Sequence, residues 1–432
     1  MSLKANTNSS YRDLAKIKLS DLIDITHGFA FKGADFEKSN SKEKLIVLTP
    51  GNYSENGELH FSSKNTKRFT GDSPPEGYLF DIGDLTVVMT DLSSKMKILG
   101  KPAFIDSPNI LHNQRIGRVL FKDESISPKY LFYFFRTRMF GNGVKSTATG
   151  TMVRHTAPKR ILDCKVFLPK LSEQKRIVAI LDEVFAGIDD AIANTQKNLA
   201  NARDLFESYL DVVFTQNGEG WEKRTLKEVS LDFGRGKSKH RPRNDPKLYG
   251  GSYPFIQTGD VRNCDHVVTE CSQFYSETGL AQSKLWPKGT ICITIAANIA
   301  ETGILGFDAC FPDSLIGIVV NDKLAVNDFI EYLLQAVKAR IKAKGKGSAQ
   351  DNINLGTFQN EKFPFPSVEK QVAIADKLNR LSLQTQRLEA IYQQKLTALN
   401  ELKQAILQKA FTGELTAVTA AEATRAKEEI AA

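Results

Sequence analysis

The sequence predicts an α+β protein, built from two similar α/β modules and two long helices that pair along their length. Three observations point there. Residues 169–215 superpose on 366–412 without a gap at a shift of 197 residues. A heptad pattern runs through both copies, and a mixture of short apolar strands, Gly/Pro/Asn turns and helices precedes each. The chain of 432 residues, 41% hydrophobic and 25% charged, is long enough to bury sizeable cores and is not compositionally disordered. No apolar run reaches the roughly 18 residues of a membrane span, and the N-terminus MSLKANTNSSYRDLAK lacks the apolar centre of a secretory signal. Five cysteines (Cys164, Cys264, Cys271, Cys292, Cys310), odd in number and without CxxC, fit ordinary buried thiols in a reducing, cytoplasmic setting.

In chain order, the first module occupies residues 1–167. Its blocks are KLSDLIDITHG (18–28), the strand-like LFDIGDLTVVMT (79–90) and the helical SPKYLFYFFRT (127–137). The first long helix, 168–215, carries its apolar seam through Leu181, Val184, Ile188 and Leu205. The second module, 216–364, repeats the blocks faintly as TLKEVSLDFGRG (225–236), LWPKGTICITIA (285–296) and VNDFIEYLLQA (326–336). The second long helix, 365–413, places Leu378, Leu381, Leu388, Leu399, Leu402 and Ile406 on its seam. Proline stands only at the first residue of each repeat, Pro169 and Pro366, so a rod of roughly 65 Å is expected. The Ala- and Glu-rich residues 414–432 read as a flexible tail.

The formal charge of +8 is unevenly placed. The two helices sum to zero, twelve positive against twelve negative, and the tail is −2, which leaves +10 on the modules. In the first module the positive residues gather at Lys64, Lys67 and Arg68, and at Lys145, Arg154, Lys159 and Arg160, with Thr149 as an added hydroxyl donor. In the second they gather at Lys237, Lys239, Arg241 and Arg243, and at Arg340, Lys342, Lys344 and Lys346. Such clusters suit phosphate contact, because each neutralised phosphate releases condensed counterions.

A catalytic constellation is missing from the same reading. Gly236-Lys237-Ser238 ends like a phosphate-binding loop, but Leu231 stands where the loop needs glycine. Phe233-Gly234-Arg235-Gly236 has the wrong spacing for a methyl-donor site, and Ser73-Pro74-Pro75 is followed by Glu76 instead of a stacking aromatic. Asp163, Glu173 and Lys175 mimic a nuclease spacing, yet the last two begin a helix. The six histidines are scattered without a metal-binding spacing, and no GxSxG elbow occurs. These residues favour a duplex-DNA binder over a helical adaptor that scaffolds a protein complex. A single-chain nuclease or methyltransferase lacks its motif.

The segment LPKLSEQKRIVAILDEVFAGID (168–189) resembles the first conserved helical region of specificity subunits of type I restriction–modification systems, and NELKQAILQKAFTGEL (400–415) resembles the end of the second. The likeness covers essentially the whole chain. PSVEKQ (366–371) departs from the usual Pro-x-x-Glu-Gln opening by placing Lys370 before Gln371. Asn113-Gln114 resembles a recurrent feature of the first target-recognition domain, which Asp313-Ser314 does not keep. The resemblance implies two target-recognition domains, each reading half of a split site in double-stranded DNA. It implies helices forming an antiparallel coiled coil that spaces the domains and docks two methyltransferase subunits, joined by motor and nuclease subunits. It also implies a non-catalytic chain without its own cofactor: S-adenosylmethionine, ATP and Mg²⁺ belong to the partners.

Overall fold

The structure, a computed structural model, describes residues 16–38, 44–71, 73–215, 220–296, 299–345 and 355–415, with the side chains of 339–345 and 357 outside that description. Residues 416–432, and with them the expected tail, lie outside it. Two compact units emerge, one of residues 1–194 with 395–432 and the other of 195–394. Each long helix therefore contributes to both units, because the module cores take in helix ends as well as their own strands.

In the first unit a four-stranded antiparallel sheet runs in the order Ile23–His27, Ile116–Phe121, Leu85–Val88, Pro102–Phe104. The strand Leu85–Val88, with Val87 opposite Gly117, is buried along its whole length, its one polar residue Thr86 donating to the Ala103 carbonyl. A second sheet orders Phe36–Lys38, Lys67–Phe69, Ile46–Val47 and Ile110–Leu111. The second unit repeats the plan. Ser230–Arg235, Leu315–Val320, Ile291–Thr294 and Thr302–Leu305 follow one another in the same order, with Val267–Val268 added in parallel at the edge. Its second sheet joins Gln273–Tyr275, Tyr249–Phe255, Ala309–Cys310 and Leu285–Trp286.

Each module closes on itself before releasing the chain. Lys16–Lys18 pairs with Lys165–Phe167, and Glu222–Thr225 pairs with Lys362–Phe365. The long helices follow at Leu171–Thr215 and Val368–Thr412, 45 residues each. Within either unit they run antiparallel. Asp189 meets Lys403 in the first, while Arg203 meets Glu389 and Lys377 lies over the Tyr209 ring in the second.

The module helix Pro128–Phe135 buries Tyr130, Leu131, Tyr133, Phe134 and Phe135 against Ile177, Leu181 and Phe411. Its counterpart Asn327–Gly345 buries Phe329, Ile330, Tyr332 and Leu333 against Leu210, Phe214 and Leu378.

A buried glutamine locks each module to its long helix. Gln174 accepts the Ser127 N–H at 2.8 Å and donates to the carbonyls of Ser125 and Pro169. Gln371 accepts the Val326 N–H at 3.0 Å and donates to Leu324 and Pro366. Both are 0% exposed, so the amides use donors and acceptors that no water could satisfy. The module helix is tied again one turn on: the Tyr133 hydroxyl donates to Asp182, and the Tyr332 hydroxyl to Asn379. No helix among the described residues is long and apolar enough to cross a membrane. All five cysteines are free; Cys292 and Cys310 are buried, whereas Cys164, Cys264 and Cys271 are half-buried, short of the full burial expected.

Candidate nucleic-acid interface

The basic residues of the first module fall in two places. Lys64 is exposed in a turn, while Lys67 and Arg68 sit on the strand Lys67–Phe69. Lys67 Nζ lies 4.2 Å from the Phe36 ring centroid, and Arg68 donates to the Lys44 carbonyl at 2.7 Å, so both carry packing as well as charge. Lys145 ends the helix Arg138–Ser146. The chain then makes a tight loop closed by reciprocal backbone bonds between Thr149 and His155, both 2.9 Å. Gly150 is required there: its φ is +94°, and a Cβ would lie 2.0 Å from the Val153 carbonyl oxygen. Arg154 pairs across the short ladder with Asp91, and Arg160 donates to the Thr149 hydroxyl at 3.3 Å. The loop thus gathers Thr149, Arg154, Lys159 and Arg160 around a tip where Met152 is 80% exposed.

In the second module the loop after the strand Ser230–Arg235 is pinned by its backbone. The Lys239 and His240 N–H groups donate to Gln282, the Lys237 carbonyl accepts from Ser283, and Arg241 donates to the carbonyls of Ser238 and His240. A Cβ at Gly236 would lie 2.2 Å from the Phe311 carbonyl oxygen, so only glycine lets the loop pass. Arg243 is already engaged by Asp313 at 2.8 Å. The side chains of Lys64, Lys145, Lys159, Lys237 and Lys239 have no ion-pair partner among the described residues. Arg340, Lys342 and Lys344 continue the helix Asn327–Gly345 with side chains outside the description, and Lys346 lies outside it altogether.

The chemical candidates are dispersed. Asp163 is ion-paired with Lys18 and Glu173 with Arg176, and the described residues hold no cluster of three or more metal-binding side chains. Asn113 is buried, its side chain accepting the Arg115 N–H within a turn. The two sequence repeats thus share one sheet order, and each bears a basic loop pinned by backbone bonds.

The profile of the type I restriction modification DNA specificity domain matches residues 11–201 and again 218–401. The chain belongs to this specificity-subunit family. It is 24% identical over 94% of its length to the EcoBI specificity subunit of Escherichia coli, covering 87% of that protein. It is 22% identical over 90% of its length to the EcoKI specificity subunit of E. coli K12, covering 88% of that one. Among solved structures, the HsdS subunit of Thermoanaerobacter tengcongensis shares the fold with a TM-score of 0.56 at 19% identity, over 93% of this chain and 97% of that one. A chain from a study of complex assembly and conformational transition of the type I R-M system superposes with a TM-score of 0.72 at 19% identity, over 93% and 98%.

In this family member the expected seam divides. Leu181, Ile188 and Leu378 are buried, and Leu381, Leu399 and Ile406 are half-buried. Val184, Leu388, Leu402 and above all Leu205, at 59%, are exposed, while the polar Thr195, Thr385 and Lys403 are buried. Basic stretches of the sequence do not mark the cations Lys101, Arg136 and Lys403. Lys101, Arg136 and Lys403 line one cavity of the first unit from three distant stretches of chain. Only pairing the repeats residue by residue exposes them.

Proposed function

We propose that this specificity subunit reads a bipartite site in double-stranded DNA, one half with each module, and docks two methyltransferase subunits and the motor and nuclease subunits on its long helices. The carrying observation is the repeat itself: two modules of one sheet order, each with an exposed basic loop held by backbone bonds. Lys64, Lys145, Thr149, Arg154, Lys159, Lys237, Lys239 and Arg241 contact phosphates and set the register, and sequence is read by neighbouring side chains at base edges. Exposed apolar side chains along both long helices, Leu205, Leu388, Ile391 and Leu402 among them, support partner docking. The chain itself performs no chemistry. Methyl donor, ATP and Mg²⁺ act on partner subunits, and the whole complex works in the cytoplasm.

The domain limits follow the function. Residues 1–167 and 216–364 form the recognition modules, and 168–215 and 365–413 the spacer helices. The test is the methylated-adenine map of a host genome with and without this chain. A split motif whose methylation disappears with the chain supports the proposal. An unchanged map, or no duplex binding by the chain with its methyltransferase partners, refutes it in favour of the adaptor.

A further inference from the structure

We propose that the cavity of the first unit bounded by Lys101, Arg136, Arg138 and Gln404 is a binding site for a small phosphate-bearing polyanion, of the size of pyrophosphate or a nucleoside monophosphate. The cavity holds about 390 Å³, within the usual range for small-molecule sites. Lys101 precedes the sheet strand Pro102–Phe104, Arg136 and Arg138 follow the module helix, and Gln404 comes from the second long helix.

These cations have carboxylates in their neighbourhood, Glu55 for Lys101 and Asp189 and Glu58 for Arg136, but none at ion-pair distance among the described residues. Arg136 stacks its guanidinium against the rings of Phe132, Tyr133 and Phe185, at 5.3 to 5.8 Å, and meets no carboxylate at ion-pair distance among the described residues. Lys101 is half-buried and likewise unpaired. The carboxylates nearby are mostly committed elsewhere: Glu55 to Lys97 at 2.5 Å and Asp189 to Lys403, with Glu401 exposed at the rim. Burial, then the neighbouring charges of Arg136 and Lys145, lowers the Lys101 ammonium below its ordinary range, and burial lowers Arg136. Burial of these neighbouring positive charges carries a cost, only partly offset for Arg136 by Asp189 and Glu58, that an anion would relieve. Gln404 adds a side-chain amide whose buried Oε1 has no partner; turning that amide over would offer N–H donors instead.

The repeat shows that the fold does not need these charges. The second unit has a cavity of about 640 Å³ at the corresponding long-helix, strand and module-helix positions, completed by Val261, Arg262 and Cys264. At the shift of the helix repeat, Phe206 stands for Lys403 and Glu207 for Gln404. In the paired module helices Gln335 stands for Arg136 and Val337 for Arg138, and Glu301 lies just before the equivalent strand. One frame thus yields a cavity whose lining is net positive in one copy and net negative in the other, where Arg262 and Lys338 stand among Glu207, Asp211, Asp265 and Glu301. A structural requirement would have kept cations at the positions paired with Lys101, Arg136 and Arg138. The pocket, open on the side of Arg138, Asn400 and Glu401, has the volume for a small polyanion and not for a duplex, whose phosphates would meet the exposed loops.

Titration calorimetry on the full-length chain with pyrophosphate, adenosine monophosphate and inorganic phosphate tests this. Saturable one-site binding is expected for at least one of these, weakened about tenfold or more by Arg136→Gln and by Lys101→Met, as for the loss of a charge-assisted contact. Glu207→Gln, in the other cavity, should leave it unchanged. Arg136→Gln installs the residue type of Gln335, and an unligated melting temperature at or above that of the parent shows that it folds. Failure of all three probes to saturate by about 10 mM, a Kd weaker than about 3 kcal/mol of binding, overturns the proposal, as does equal binding by the variants. If the variants instead weaken duplex binding or partner retention while no small phosphate binds, the cations serve a macromolecule and the proposal is also wrong. Duplex binding that fails while pyrophosphate binds leaves this site standing on its own.

Discussion

His266 should make the second unit lose stability as pH rises. The ring stacks on Tyr332, with centroids 4.6 Å apart and planes 18° from parallel. Its Nδ1 lies 2.7 Å from Glu331 and its Nε2 3.4 Å from Asp328. Burial alone would lower the imidazole, but the contacts with Asp328 and Glu331 and their charges outweigh it and raise the pKa to about 9. A folded value above the unfolded value of about 6.5 means that the stabilisation is complete below pH 6.5 and lost as pH climbs through 9. At 1.36 kcal/mol per unit the shift is worth at most about 3 kcal/mol, and imperfect N–H alignment at a site 18% exposed brings the expectation to about 1–3 kcal/mol. Both tryptophans, Trp221 and Trp286, belong to this unit, so intrinsic fluorescence during urea unfolding reports it selectively. The parent should lose about 1–3 kcal/mol more than His266→Gln between pH 6.5 and 9.5. Parallel pH profiles for the two proteins would refute the ion-pair argument. His112 provides the opposite sign in the first unit. Burial lowers it to about 4, so its contribution is present above pH 6.5 and lost as pH falls toward 4.

Further outcomes follow from the same geometry. Gln371→Ala strands the Val326 N–H beside a fully buried position and should cost about 2–4 kcal/mol in the tryptophan-reported transition. Gln174→Ala should leave that transition in place, because its bonds lie wholly in the first unit; equal effects of the two would show the clamps are not local. Replacing Lys237 and Lys239 with Ala should weaken duplex binding at all sequences and reduce the log–log salt slope by about 2. The same is expected of Lys342, Lys344 and Lys346 with a change of about 3, and wild-type slopes would mark these lysines as merely solvated. If helix length sets the distance between half-sites, deleting one heptad from each long helix removes about 10 Å of rod and should shorten the tolerated spacer by about three base pairs without altering either half-site; an unchanged methylated motif refutes that role of the helices.

How much of this was legible in the sequence depends on how local the cause is. The long helices were legible because proline, heptad apolarity and absence of breaks act within a few residues; they were read at 168–215 and 365–413 and run Leu171–Thr215 and Val368–Thr412. The partners of the seam were not. An apolar position such as Leu205 has the same period whether it faces a helix of its own chain or solvent, and only tertiary packing separates it from Leu181. Gln174 and Gln371 were visible as an aligned pair, but their roles required knowing that the chain returns 45 to 50 residues away to present a free N–H. Basic runs were visible by composition. The cavity of Lys101 and Arg136 was not, because its charges are isolated in sequence and converge only through the sheet edge and module helix.

The two copies also explain why their polar residues are exchangeable only as sets. In the first unit the module-helix tyrosine is tied to a carboxylate, Asp182, which also takes the Lys129 ammonium at 2.6 Å. In the second, the equivalent Tyr332 is tied to an amide, Asn379, whose N–H₂ donates to Asp328 at 2.8 Å. A carboxylate at position 379 would face Asp328 with Glu331 close by, and only His266 would oppose three negative charges; an amide at 182 would leave Lys129 without its counter-ion. Each unit has therefore fixed its own charge pattern around a shared geometry of one glutamine clamp and one tyrosine tie. The same separation holds at the cavities, where Lys101 and Arg136 oppose Glu301 and Gln335 on one backbone plan. Geometry common to both copies marks what the fold requires, and charge that differs between them is balanced separately within each copy, as Lys129 does for Asp182 and His266 for Asp328 and Glu331.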